Sequence, residues 1–283
     1  MAGILSGLES LGLGALNGAD VLADEEEKKK AAAARAAAVE PPKVQEKDLI
    51  YDKAYTCKVC HKSFNAKVMK SGKSKLLGVS FALRPRYEGI AAEKYDVLLC
   101  PHCGYAALTK YFDVLLDAQA KLIKENISKN VILTEYKDET YGFEQALERY
   151  KLALANAVVK KGKISERSFI CLKTAWLLSS YCESLQEEEG QEEKIRSLKA
   201  QEEEYFHTAM DGFVDARQKE TPPIAGMDGV TLDYLIAELA VHFKEYDLAS
   251  RMIQSILTAT GANARIKDKA RDLKDTMQAQ KKA

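Results

Sequence analysis

The sequence lacks several features that would each have assigned it to a class of protein. It has no run of eighteen apolar residues among its 283, so no membrane-spanning helix is expected. No lysine or arginine precedes Lys28, and a secretory signal needs a basic start. Six cysteines are too few for a disulfide scaffold of this length. The 42 basic and 42 acidic side chains cancel, which argues against a chain that is basic or acidic throughout.

What is present suits a folded protein, with 46% hydrophobic and 30% charged residues. Residues 1–48 form a separate N-terminal segment by composition. Apolar residues at helical spacing among glycines begin it, and we interpret them as a tail, a piece docking on its own protein, or a peptide that becomes helical in a partner's groove. The charged and alanine-rich residues 24–40 predict a solvated helix or a disordered tether.

Residues 49–108 are predicted to form a small β module, because apolar and polar residues alternate there with period two. Gly72 and the pair Arg84-Pro85 supply the breaks. The alternating residues fall in three runs: Phe64, Ala66 and Val68; Leu77, Val79, Phe81 and Leu83; and Tyr95, Val97 and Leu99.

The strongest chemical signal is two Cys-x-x-Cys pairs in this module, Cys57/Cys60 and Cys100/Cys103. Each such turn directs two thiolates at one point, so two turns brought together complete a tetrahedral site for one structural zinc ion. Four thiolates leave no open position for water or substrate. Two rival interpretations, haem attachment at Cys57–His61 and a redox dithiol at Cys100/Cys103, lack an export signal and a βαβ pattern respectively.

Residues 109–283 change to helical periodicity and predict at least six helices. In the hairpin from Thr231 to Thr260, Ala237 and Ala249 take the positions where a tetratricopeptide repeat needs small residues. The spacing of the other hairpins is irregular, so tetratricopeptide-like hairpins are expected but a regular array is not. The predicted fold class is therefore α+β, with a zinc-ribbon-like β module followed by a mainly α, tetratricopeptide-like domain.

Nine basic residues and no acidic one lie between Lys53 and Arg86, which raises the alternative of nucleic-acid binding. The other interpretation is that this basic face meets acidic helices, since residues 183–204 contain nine glutamates. The candidate nucleic-acid contacts are Lys67, Lys70, Lys73, Lys75, Arg84 and Arg86.

The chain resembles the bacterial domain-of-unknown-function 2225 family from about residue 49 onward. The resemblance is carried by Tyr55–Cys60, Phe64, the run Leu83-Arg84-Pro85-Arg86-Tyr87, and Lys94–Ala106 with the second cysteine pair. It implies a bacterial cytoplasmic protein with a four-cysteine module and tetratricopeptide-like helices, and it implies no particular activity.

No nucleophile, base and orienting group can be grouped from the sequence, so we expect no enzyme and identify no small-molecule substrate. The leading hypothesis is a zinc-stabilised adaptor that binds a protein partner through its helical domain. The alternatives are a nucleic-acid-binding protein that uses the basic module and a cytosolic dithiol enzyme.

Overall fold

Three antiparallel β-hairpins open the part of the chain that the computed structural model describes, residues 45–134, 138–186 and 188–282. The predictions for residues 1–44 lie outside the described residues. The strands are β1 (Ile50–Thr56), β2 (Ser63–Met69), β3 (Leu76–Val79), β4 (Pro85–Tyr87), β5 (Val97–Leu99) and β6 (Ala106–Leu108). Each hairpin is a separate two-stranded sheet that pairs strands consecutive in the chain.

The hairpin of β1 and β2 shows why alternation predicted strands here. Phe64 and Ala66 are buried, whereas Asn65 between them is exposed, because successive side chains of a strand point to opposite faces. In the register of the pair, Tyr55 lies opposite Phe64 and Asp52 opposite Lys67. One face of the hairpin therefore packs into the protein and the other carries polar side chains.

The predicted strand through Leu77 and Leu83 is only partly correct. β3 ends at Val79, and Phe81–Leu83 form a short 3-10 turn in which Ala82 (φ 55°) has left-handed backbone geometry. The cause is a tertiary contact: the Ala82 N–H donates to Glu238 Oε2 at 3.0 Å, and the Trp176 indole N–H donates to the Ala82 carbonyl at 3.1 Å. Hydrogen bonds from the helical region thus override a period-two pattern.

The rest of the described chain is mainly helical, as predicted, and the α+β fold class is confirmed. Two short helices come first, α1 (Thr109–Phe112) and α2 (Asp117–Ile123), followed by a π-helical turn at Lys124–Ser128. Six longer ones follow: α3 (Phe143–Val159), α4 (Ile164–Leu185), α5 (Glu192–Lys219), α6 (Gly229–His242), α7 (Tyr246–Thr258) and α8 (Ala264–Lys282). None of the helices that the structure describes has both the length and the apolar composition needed to span a bilayer.

Helices α4 and α5 pack along each other, as do α6 and α7. Their main core buries Trp176, Phe206 and Phe213. Ala237 and Ala249, on the two helices of the predicted hairpin, are both fully buried, and Ala249 belongs to this core. Small residues at these positions let two helices approach closely, and the assignment to the tetratricopeptide class stays a prediction.

A buried arginine joins the β region to the helices. The Arg84 guanidinium donates to both carboxylate oxygens of Glu183 on α4, at 3.0 and 2.7 Å, and its Nε donates to Glu93 at 3.2 Å. Burial raises the pKa of Glu93, because a carboxylate removed from water loses solvation. Arg84 is the cation that compensates this buried carboxyl group.

Replacing Arg84 by methionine is expected to lower the free energy of unfolding by about 3 to 5 kcal/mol, because it leaves Glu93 buried without its cation. Arg86→Met is the matched control: Arg86 contacts the same Glu183 at 3.3 Å, but its side chain is half exposed. An exposed pair of this kind contributes about 1 kcal/mol or less. Urea denaturation measures the free energy of unfolding of both variants. An equal decrease in the two would contradict the role given to Arg84 at the junction.

Candidate metal centre

The four predicted cysteine ligands come together at one point, all four sulfur atoms lying within 4.8 Å of one another. Cys57 Sγ lies 3.6 Å from Cys103 Sγ, and Cys60 Sγ lies 3.6 Å from Cys100 Sγ. Four thiolates at about 2.3 Å from a tetrahedral zinc ion form a tetrahedron with edges of about 3.8 Å. Two of the sulfur–sulfur distances are close to that edge and none exceeds 4.8 Å, so the four atoms could hold one metal ion. Within the described residues, no other group of cysteine, histidine and carboxylate side chains has metal-ligand geometry.

Each cysteine pair forms the turn of a β-hairpin. Cys57 follows β1 and Cys60 precedes β2, while Cys100 follows β5 and Cys103 precedes β6. The hairpins fix the two turns, and the sulfur atoms meet because the hairpins pack side by side around one core. The 39 residues between the pairs hold β2, β3, β4 and β5.

The two turns have the same backbone hydrogen bonds. The Cys57 N–H donates to the Lys62 carbonyl and the His61 N–H donates back to the Cys57 carbonyl, at 3.0 and 2.9 Å. In the second turn, Cys100 N–H donates to Tyr105 and Gly104 N–H donates to Cys100, at 2.8 and 3.1 Å. This repeated pattern is why sequences 43 positions apart build one symmetrical site.

The position after each second cysteine needs left-handed backbone geometry, and the two turns meet that need differently. Gly104 has φ 71° and His61 has φ 61°. Glycine adopts this conformation freely, whereas a residue with a Cβ atom is strained there. At Gly104 a second constraint applies, because a Cβ atom would lie 2.6 Å from Val131 Cγ1.

A small core surrounds the cysteines and ties the centre to the first helices. Phe64, Tyr105 and Phe112 pack around the sulfur atoms, with Tyr105 stacked on Phe112 at 4.8 Å between ring centroids. Ile123 of α2 closes the same core. Asn156 of α3 donates its side-chain N–H to the Gly104 carbonyl at 3.0 Å, which anchors the second turn to a long helix.

The thiols perturb one another strongly because they are so close. Hydrogen bonds from Cys100 and Cys103 hold the pKa of Cys57 well below its ordinary 9.0. Contacts with Cys103 and Cys57 raise the pKa of Cys100. Such a cluster favours a thiolate at Cys57, and thiolate is the form that binds a metal.

The model of a bacterial protein family, described as "Uncharacterized protein conserved in bacteria (DUF2225)", matches residues 50–277. The chain belongs to this family. No curated protein and no solved structure matches the chain. The resemblance predicted from the motifs is thereby confirmed, and the matched segment of this family member contains both cysteine turns and nearly all of the described helices.

The candidate nucleic-acid contacts do not form one free basic face. Arg84 is buried between two carboxylates, and Arg86 contacts Glu183. Lys67 pairs with Asp52 at 3.4 Å, and Lys70 donates to the Asp48 carbonyl. Lys73 and Lys75 are exposed near the start of β3. The nucleic-acid alternative therefore depends on fewer side chains than the sequence suggested.

Within the described residues, no other histidine or cysteine belongs to the group of four sulfur atoms. His61 and His102 are exposed on the two turns. Cys171 and Cys182 are buried in helical cores, as expected of thiols that act as small apolar side chains. Asn156 was not predicted from the sequence, although a polar residue between the buried Ala153 and Ala157 was a signal that it has a specific hydrogen-bond partner.

Gly104→Ala is expected to be strongly destabilising, because the added methyl group meets Val131 and the backbone is left-handed. Gly72→Ala separates these causes: Gly72 has the same φ of 71°, but no atom lies within 4 Å of the position that its added methyl group would take. We expect Gly72→Ala to show only the strain, about 1 to 2 kcal/mol. Thermal denaturation of both variants tests this, and an equal loss would show that the Val131 contact is unimportant.

Proposed function

We propose that this protein is a non-enzymatic adaptor of the bacterial cytoplasm, in which one structural zinc ion holds the β hairpins and the helical surface binds another protein. The observation that supports it best is the geometry of the four cysteines, which satisfies a metal completely. A site of four thiolates has no position for a substrate or a reactive water molecule. The metal would hold two hairpins together, which leaves the helical surface available to bind another protein.

Zinc is the metal that this donor set favours. Four thiolates with tetrahedral spacing suit zinc or iron, and a single ion joining two hairpin turns is the structural zinc arrangement. Cys57, Cys60, Cys100 and Cys103 would hold the ion, which would contribute on the order of 10 to 16 kcal/mol to folding. That amount is comparable to the whole net stability of a typical domain.

The purified protein is expected to contain one zinc ion per chain. Cys100→Ser should lose most of the bound zinc and unfold at a lower temperature, because three thiolates and a hydroxyl bind the ion less tightly. Cys171→Ala removes a thiol that is buried in the helical core instead, and it should keep one zinc per chain. Elemental analysis and thermal denaturation measure both, and a wild-type protein without zinc would reject the proposal.

The dithiol alternative has less support. Its motif needs the two cysteines of one pair to act together. The close sulfur contacts here join cysteines of different pairs, Cys57 with Cys103 and Cys60 with Cys100.

Aromatic stacking on nucleic acid also has little support, because Phe64 is buried beside the cysteines and Phe81 packs on Phe206, with 5.2 Å between ring centroids.

Two exposed glutamates of the helical surface are candidate contacts for a partner. Glu183 is ion-paired with Arg84 and Arg86, whereas Glu193 and Glu204 on α5 are exposed. They are eleven residues apart, which is about three helical turns, so both lie on the same side of the helix. A partner with a basic face would be complementary to this side of α5.

Full-length protein purified from its native host is expected to carry a stoichiometric protein partner. Replacing Glu193 and Glu204 together by lysine should reduce the amount of partner at least tenfold, because like charges then face each other. The control replaces Asp272 and Asp275, two exposed acids of α8, by lysine and should retain the partner. Quantitative mass spectrometry measures the amount of partner that co-purifies with each variant. Equal amounts of partner from both variants would exclude α5 as the binding surface.

A further inference from the structure

The β3–β4 hairpin presents three large apolar side chains to solvent. Leu76, Leu77 and Val79 are 51%, 60% and 53% exposed, respectively. They lie within the four residues of β3, and every residue of that strand is exposed. Apolar residues scattered singly are normal on a protein surface, whereas contiguous ones mark an interaction site.

The exposed strand belongs to a hairpin that is fixed at both ends. Ala82, in the connection between β3 and β4, is fully buried in the main helical core. At the other end, the Glu88 backbone N–H donates to the Lys75 carbonyl at 3.0 Å. The Ser74 hydroxyl donates to the Glu88 carbonyl at 2.7 Å. The hairpin therefore holds its apolar side chains in an exposed position by hydrogen bonds and by burial of its connection.

Positive charge lies directly beside the apolar side chains. Lys73 and Lys75 precede β3, and both are exposed. Neither lysine forms an ion pair with any residue that the structure describes. Glu88 is the one acidic residue among residues 71–88. The hairpin thus combines an apolar strand with unpaired positive charge, which is complementary to a partner that is both negative and apolar.

Both faces of β3 are open, which favours a lipid bilayer over a folded protein as that partner. Successive side chains of a strand point to opposite faces, and all four residues of β3 are exposed, so neither face packs against the described part of the chain. A protein interface typically takes about 20 to 30 residues from each side. A bilayer surrounds an inserted segment and needs no matching shape.

Two other occupants fit the hairpin less well. A second copy of the chain would bring another Lys73 and Lys75 to the same interface, where like charges repel. Nucleic acid is bound by surfaces that combine positive charge with aromatic side chains for stacking, whereas Leu76, Leu77 and Val79 are aliphatic.

We propose that the β3–β4 hairpin binds the surface of a membrane that contains anionic phospholipids. Lys73 and Lys75 would lie at the phosphate groups, and Leu76, Leu77 and Val79 would enter the outer part of the acyl layer. Binding to a membrane surface depends on these two contributions, the apolar area that is buried and the attraction of basic residues to anionic lipids. The inference goes beyond the proposed adaptor function and does not depend on it.

The test mixes full-length protein with vesicles made of equal parts phosphatidylglycerol and phosphatidylcholine, and flotation measures the bound fraction. Binding should be about tenfold tighter than to vesicles of phosphatidylcholine alone, and it should weaken as salt is added. Replacing Leu76 and Leu77 together by serine should weaken binding about tenfold, because the buried apolar area is lost. Replacing Lys73 and Lys75 by glutamine should weaken it about fivefold for each lysine.

Each variant has a matched control. Val114→Ser with Leu116→Ser removes two apolar side chains that are even more exposed than Leu76 and Leu77. Lys121→Gln with Lys124→Gln removes two exposed lysines at α2 and the turn that follows it. Both controls should bind the vesicles as the wild type does, and thermal denaturation shows that every variant is folded.

The proposal is overturned if the wild type does not float with the anionic vesicles, or if the Leu76 and Leu77 variant binds them as tightly as the wild type. Analytical ultracentrifugation of the protein without lipid tests the second copy: a dimer that the same variant abolishes would assign this strand to self-association instead. Binding of polyglutamate that depends on Leu76 and Leu77 would assign it to an acidic protein.

Discussion

The meeting of four cysteine sulfur atoms is the constraint on which the β region depends. Three two-stranded hairpins share no continuous sheet, and a two-stranded hairpin alone is marginally stable in water. Two of the three carry the cysteine turns, so one ion bound by both turns would join hairpins that backbone pairing leaves separate. The aromatic core of Phe64, Tyr105 and Phe112 then has fixed walls to pack between.

The same centre also contacts the residues that follow it and one of the long helices. Gly104 has no side chain, so Val131 can approach it, and its carbonyl accepts a hydrogen bond from Asn156. Asn156 is on α3, one of the six longer helices. The second cysteine turn is therefore hydrogen-bonded to a long helix as well as within its own hairpin.

The sequence was sufficient for features that depend on local spacing. The two cysteine pairs, the alternation in β2 and the helical stripes each reflect a fixed geometry, which is why the meeting of the four cysteines and the fold class could be predicted. Contacts distant in the chain could not. The backbone at Ala82 depends on Glu238 and Trp176, and the pairing of Arg84 with Glu183 spans 99 residues, so a basic residue that looked available for phosphate is buried.

Zero net charge has a structural meaning in this light. Charged residues of the β region and of the helices are paired across their junction. Arg84 of the β region pairs with Glu183 of α4, and Lys173 of α4 pairs with Asp96 of the β region. Paired charges hold the hairpins on the helices and are then unavailable to a partner.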